Sequence, residues 1–217
     1  MREDVRQKLD STLAYLYRTA FYSVIFPIRP ETVLRKIANC RLITYERLAD
    51  VSGQTVADVI RACDSSDGCT HYDPVKNRYL VAVNTDGRNA GRILWTMAHE
   101  LGHIMAGHFL ELADDGRPEA SPSELLYMEE EADYFAANFH APFQAMESLR
   151  VQSAADIRDW FGLSQTAADR RWTEYQKPHE LTELDKYLSW SGVRSSTKKP
   201  RPLRKYHPID VWSDEPL

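Results

Sequence analysis

Apolar residues recur at helical spacing along most of this chain, interrupted by a short extended region between residues 41 and 84. Val5, Leu9, Leu13, Leu16 and Ala20 mark a helix over residues 4–24. Arg29-Pro30-Glu31 opens a second, because proline suits a helix's first turn. Arg41–Tyr45 reads as a strand. Ser52–Cys63 reads as a helix, with Val56, Val59 and Ile60 on one side. After the turn cluster Asp64–Gly68, strands are expected at Thr70–Tyr72 and Arg78–Asn84, joined through Asp73-Pro74-Val75-Lys76-Asn77. Leu80-Val81-Ala82-Val83 is apolar on both faces, so the second strand should be covered on both sides. Its edge is expected to face the functional site and to take up an extended peptide.

The strongest helix is Asn89–Ala106, with Ile93, Leu94, Met97, Ala98, Leu101 and Met105 in phase. A polar loop, Leu112–Pro122, separates it from a second strong helix, Ser123–His140, stopped by Pro142. Two shorter helices follow at about 153–161 and 164–176, split by Phe161-Gly162-Leu163-Ser164. From residue 192 onward Arg194, Lys198, Lys199, Arg201, Arg204 and Lys205 lie among prolines and serines, the composition of a loosely packed tail.

The 217 residues carry 43% hydrophobic and 27% charged side chains and a formal net charge of -5. That composition is globular, and no overall positive field advertises nucleic acid. Cys40, Cys63 and Cys69 form no CxxC pair, and so sparse a set points to reduced thiols. The apolar stretch Phe21–Ile28 is too short to span a bilayer. Together these predict a cytoplasmic protein with no membrane partner.

Chemistry enters at His99-Glu100-Leu101-Gly102-His103. Histidines at i and i+4 lie one turn apart on one helix face, where both can reach one zinc ion. Glu100, beside the first of them, is placed to take a proton from the attacking water and pass it to the leaving amine. Zinc would polarise the scissile carbonyl and acidify the water. Catalysis needs a third protein ligand and one open position. Glu129 is the leading candidate. It shares a face with Asp133, beside the stripe Met128, Ala132, Phe135, Ala136 and Phe139. Asp133 would then steady a ligand histidine through its second ring nitrogen. A solvated acidic run at a helix start accounts for Glu130 and, less fully, for Glu131, each a lesser candidate ligand, but fits Asp133 poorly.

His108 is the alternative metal ligand, at a HExxHxxxxH spacing; the HExxHxxGxxH spacing of the metzincins is not met. On an unbroken helix His108 points about 140° away from His103. It reaches the metal only if Gly107 breaks the helix and turns the chain back.

The pattern Thr96-Met97-Ala98-His99-Glu100-Leu101-Gly102-His103, Gly107-His108, then Glu129-x-Glu131-Ala132-Asp133-x-Phe135-Ala136-Ala137 and Pro142 resembles the ImmA/IrrE family of metallo-endopeptidases. Phe161-Gly162-Leu163-Ser164 through Ala167, Ala168 and Arg171 extends the likeness, which covers about residues 30–176. The resemblance implies an α+β, zincin-like metallopeptidase domain with a small mixed or antiparallel sheet, a HExxH helix and a glutamate-bearing helix. It implies Zn2+ at His99, His103 and Glu129, with Glu100 catalytic and Asp133 in support. It also implies a protein substrate, a helix-turn-helix transcriptional repressor, of the kind found on phages and other mobile elements. Asn138-Phe139-His140-Ala141-Pro142 departs from the family, where aliphatic residues and methionine commonly precede that proline.

The organisation expected is an N-terminal helix (1–29), the zinc metallopeptidase domain (30–150), a helical extension with a helix-turn-helix-like pair (151–191) and a basic tail (192–217). Arg170, Arg171 and Lys177 in the pair alternate with Asp169 and Glu174, which favours packing over DNA reading. Tyr127, Tyr134, His140 and His71 are all of a type to stabilise an oxyanion, and the sequence does not rank them. The alternative function is a zinc-containing binding or sensor module that acts on a repressor without proteolysis. Glu100 argues against it, since a structural site has no use for that residue.

Overall fold

The computed structural model describes residues 1–21, 24–114 and 120–193; most of the basic tail, from residue 194, lies outside the described residues. In chain order the elements are α1 (Glu3–Ala20), α2 (Glu31–Leu34), β1 (Cys40–Thr44), α3 (Tyr45–Ser52), α4 (Val56–Cys63), β2 (Gly68–Asp73) and β3 (Arg78–Val83). Then come α5 (Ala90–Ala106), α6 (His108–Asp114), α7 (Pro122–His140), α8 (Phe143–Ser148), α9 (Ala154–Phe161), α10 (Gln165–Tyr175) and α11 (Glu183–Ser191).

The strands form one mixed sheet in the order β1-β3-β2, with β1 parallel and β2 antiparallel to β3. Tyr79, Val81 and Val83 of β3 face the main core, and Ala82 joins Ile43, Tyr45, Ala49 and Val59 in a smaller core on the other side. Both faces of β3 are therefore covered, as its unbroken apolar run predicts. One expectation is overturned: among the described residues β3 is paired on both sides, so the edge strands are β1 and β2, and it is β2 that borders the cleft.

The helix predicted over Ser52–Cys63 starts only at Val56, and a separate helix that the sequence reading does not contain, α3, precedes it and ends at Ser52. Gly53 (φ 67°) closes α3 in the left-handed conformation. Thr55 and Asp58 then form a capping box that starts α4 afresh. Cys63 at the end of α4 and Cys69 in β2 are joined by a disulfide, so the expectation of reduced thiols holds only for Cys40. The pair has no CxxC spacing; it meets because a four-residue turn leads from α4 into β2.

Helix α1 buries Val5, Leu9, Leu13, Leu16 and Tyr17 in the same core as α5 and α7. The Tyr17 hydroxyl donates to the Phe139 carbonyl at 2.6 Å, satisfying a group in the last turn of α7. Arg171 of α10, 4% exposed, donates to the Ala141 carbonyl (2.9 Å) and to Asn138 Oδ1 (2.7 Å). The helix-turn-helix-like pair thus packs on the end of α7. No helix among the described residues is long and apolar enough to cross a membrane.

Candidate metal centre

Asn89 starts α5 by accepting the Arg92 N–H at 2.9 Å, and Ile93, Leu94, Met97, Ala98 and Leu101 bury one side of the helix. His99 and His103 lie on its flank, 17% and 13% exposed at their side chains. Ser121 and Glu124 form the capping box of α7, and Met128, Ala132, Phe135, Ala136 and Phe139 bury its inner face. The two helices meet at Gly102, where an added Cβ would sit 3.0 Å from Ala132 Cα. A side chain there would force the two backbones apart by a few tenths of an ångström. Glu129, one turn before Ala132, is thereby brought opposite the two histidines.

The ligating atoms converge. His99 Nε2 lies 3.1 Å from His103 Nε2 and 3.2 Å from Glu129 Oε2, and His103 Nε2 lies 3.5 Å from Glu129 Oε1. Zinc bonds of about 2.0–2.1 Å at tetrahedral angles separate neighbouring ligands by about 3.3–3.4 Å. The donor set, two imidazoles and a carboxylate, and its spacing therefore fit zinc.

Each histidine is gripped at its other nitrogen. His99 Nδ1 faces Asp133 Oδ1 at 3.0 Å. Burial disfavours a charged His99, but the hydrogen bonds to Asp133 and Glu129 outweigh it and hold the metal-free ring at about 10. Hydrogen bonds from His103 and His99 hold the Glu129 carboxyl well below its usual range. His103 Nδ1 faces His108 Nδ1 at 2.8 Å. Gly107, at φ 90°, does break the helix as the alternative ligand scheme requires. The turn, however, delivers His108 to the far side of the His103 ring, away from Glu129. His108 Nε2 then meets Glu131 Oε2 at 2.9 Å. Burial, with the neighbouring His103 charge, pushes His108 down to about 4.

Glu100, buried on the same helix, accepts a hydrogen bond from the Thr70 hydroxyl at 2.8 Å. Thr70 belongs to β2, and its contribution has no signature in the sequence. A cleft of about 1040 Å³ opens over these residues, lined by Thr70, His71 and Tyr72 on one wall and by Leu125, Met128 and Glu129 on the other. Of the four oxyanion candidates, His71 lines this cleft. His140 is fully buried and donates to the Leu94 carbonyl, Tyr134 donates to Asp10, and Tyr127 is 48% exposed. Glu130 lines a separate pocket with Trp95 and Asp133 and is not among the three converging groups.

A small mixed sheet beside a His-Glu-His helix, faced by a glutamate from a second helix, has the make-up of a metallopeptidase centre. The model of the peptidase M78 family, described as an IrrE N-terminal-like domain, matches residues 59–173, more than half of the chain, and the chain belongs to that family. No curated protein matches the chain. Among solved structures, a Mycobacterium tuberculosis transcriptional regulator aligns with a TM-score of 0.48 at 15% identity. The alignment covers 81% of this chain and 52% of that one, so the chain spans about half the length of its neighbour.

Proposed function

We propose that this chain is a zinc-dependent endopeptidase that cleaves a regulatory protein, a helix-turn-helix repressor or a protein of that kind. The observation that carries the reading is the convergence of His99, His103 and Glu129 with Glu100 held beside them by Thr70. A zinc ion bound there would supply Lewis-acid polarisation of the scissile carbonyl. Glu100 takes the proton of the attacking water and delivers it to the leaving nitrogen. Thr70 keeps one oxygen of Glu100 in place and leaves the other to do this work. The substrate chain lies extended along β2, whose outer edge borders the cleft. Asn84 N–H donates to the Asp67 carbonyl at 2.7 Å, which sets the phase of the ladder. By alternation, the backbone groups of Thr70 and Tyr72 then point to the free edge.

The test is incubation with candidate repressors, followed by mass spectrometry, for the wild type and for Glu100→Gln. The variant should keep its zinc and lose about 10²–10⁴-fold in cleavage rate. Equal cleavage by both proteins would remove Glu100 from the reaction. Binding of a repressor by the zinc-loaded wild type without any cleavage would favour the sensor reading instead.

A further inference from the structure

We propose that His108, Glu131 and Arg2 are positioning residues for His103: a chain of hydrogen bonds, buried at His108 and Glu131 and ending on the partly exposed Arg2 at the start of the N-terminal helix, fixes the tautomer and orientation of that metal ligand. The inference rests on the zinc-site reading above. Its geometry is continuous. His103 turns Nε2 towards His99 and Glu129 and turns Nδ1 towards His108. Two ring nitrogens 2.8 Å apart share one proton. A metal at Nε2 leaves that proton on Nδ1, so His103 donates and His108 Nδ1 accepts. His108 then carries its own proton on Nε2, and that proton faces Glu131 Oε2 at 2.9 Å. The Glu131 carboxylate in turn accepts from Arg2 at its backbone N–H (3.1 Å), Nε (3.0 Å) and Nη2 (2.9 Å). Every hydrogen in the chain has one donor and one acceptor.

Burial separates this arrangement from ordinary surface pairing. His108 is 1% exposed and Glu131 0% exposed. Keeping an imidazole and a carboxylate in the interior is unfavourable unless both are bonded throughout, and apolar side chains would fill the same space without that demand. The two ligand histidines are also held differently. His99 rests directly on Asp133, whose side chain is 51% exposed. His103 rests on a neutral imidazole whose carboxylate lies one step further back and is locked by a different helix. Arg2 also donates to Glu111 at 3.1 Å, so α1, α6 and α7 meet behind the ligand.

The experiment compares zinc affinity, by competition with a chromophoric chelator, and the visible spectrum of the cobalt-substituted protein. The variants are His108→Leu, His108→Gln and Arg2→Met, each with its metal-free fold checked by circular dichroism. His108→Leu should still bind one zinc, about 10–100-fold more weakly, with an altered cobalt spectrum. His108→Gln can accept from His103 and donate to Glu131, and should recover most of the loss. Arg2→Met should weaken zinc in the same direction, by up to about tenfold, and carries the test alone if His108→Leu does not fold. Wild-type affinity and spectrum in both His108→Leu and Arg2→Met would overturn the proposal while leaving the zinc site standing. Loss of all zinc from His108→Leu, with zinc retained in Glu129→Ala, would make His108 a ligand and also overturn it. A wild-type protein that takes up no zinc removes the underlying reading and this inference with it.

Discussion

His99 and Glu129 share a strong electrostatic coupling, and its consequence is easiest to follow at His99. Burial opposes its charge, yet Asp133 and Glu129 raise the metal-free ring from 6.5 to about 10. In the absence of metal that shift stabilises the fold. The contribution is complete below about pH 6.5 and disappears as pH rises through 10. Zinc needs the neutral ring, so at pH 7 binding must displace a proton. Apparent zinc affinity should therefore rise about tenfold per pH unit from 7 towards 10, then level off. Chelator competition at several pH values checks this, and an affinity flat between pH 7 and 9 contradicts it. The converging side chains of the candidate site are legible in the sequence because their spacing is local: His99 and His103 sit one turn apart, and Glu129 and its neighbour Asp133 repeat the interval on another helix. Thr70 and Arg2 are not, because their partners stand 30 and 129 residues away and no periodicity marks them. His108 drew notice as a ligand; its place behind His103 depends on the φ of 90° at Gly107.

Helices α5 and α7 share the contact on which the centre depends. Gly102 lets them touch, with Ala132 Cα and O each 3.0 Å and Phe135 Cβ 3.1 Å from where a Cβ would stand. Gly102→Val has to push the two axes apart, at about 1–3 kcal/mol of stability. Because Glu129 rides on α7 and the histidines on α5, the variant should also lose zinc affinity while still folded. Thermal unfolding with and without zinc measures both effects, and a variant with unchanged zinc affinity would show that the spacing is not critical. Both helices are predictable as long amphipathic runs, the second closed by Pro142. Short elements are legible unevenly: α9 and α10 lie where the sequence puts them, whereas α3, α6 and α8 have no clear signal. The apolar pattern gives no break at Gly53, and the end of α6, seven residues long, falls in the segment whose composition reads as loop. One turn or two of helix gives too few apolar positions to set a phase.

The whole molecule is closed by its N-terminal helix. Tyr17 meets the end of α7, and Leu9 and Leu13 are fully buried in the core that holds α5. Removing residues 1–20 should therefore expose apolar surface on α7 and abolish cooperative unfolding, seen as dye binding and a broadened melt. A sharp melt with native near-ultraviolet dichroism would show that α1 is dispensable. The periodicity of α1 announces a helix, but its attachment to the core that carries the candidate metal site is a three-dimensional fact that no run of residues records. The free edge of β2 has a further bearing on the proposed activity. An edge strand accepts only chain that is already extended, and helical segments present no such chain until they come undone. On that reading, choice among targets rests with the targets themselves: the protein cut fastest is the one whose local structure opens most often, and any signal that loosens a repressor also marks it for cleavage.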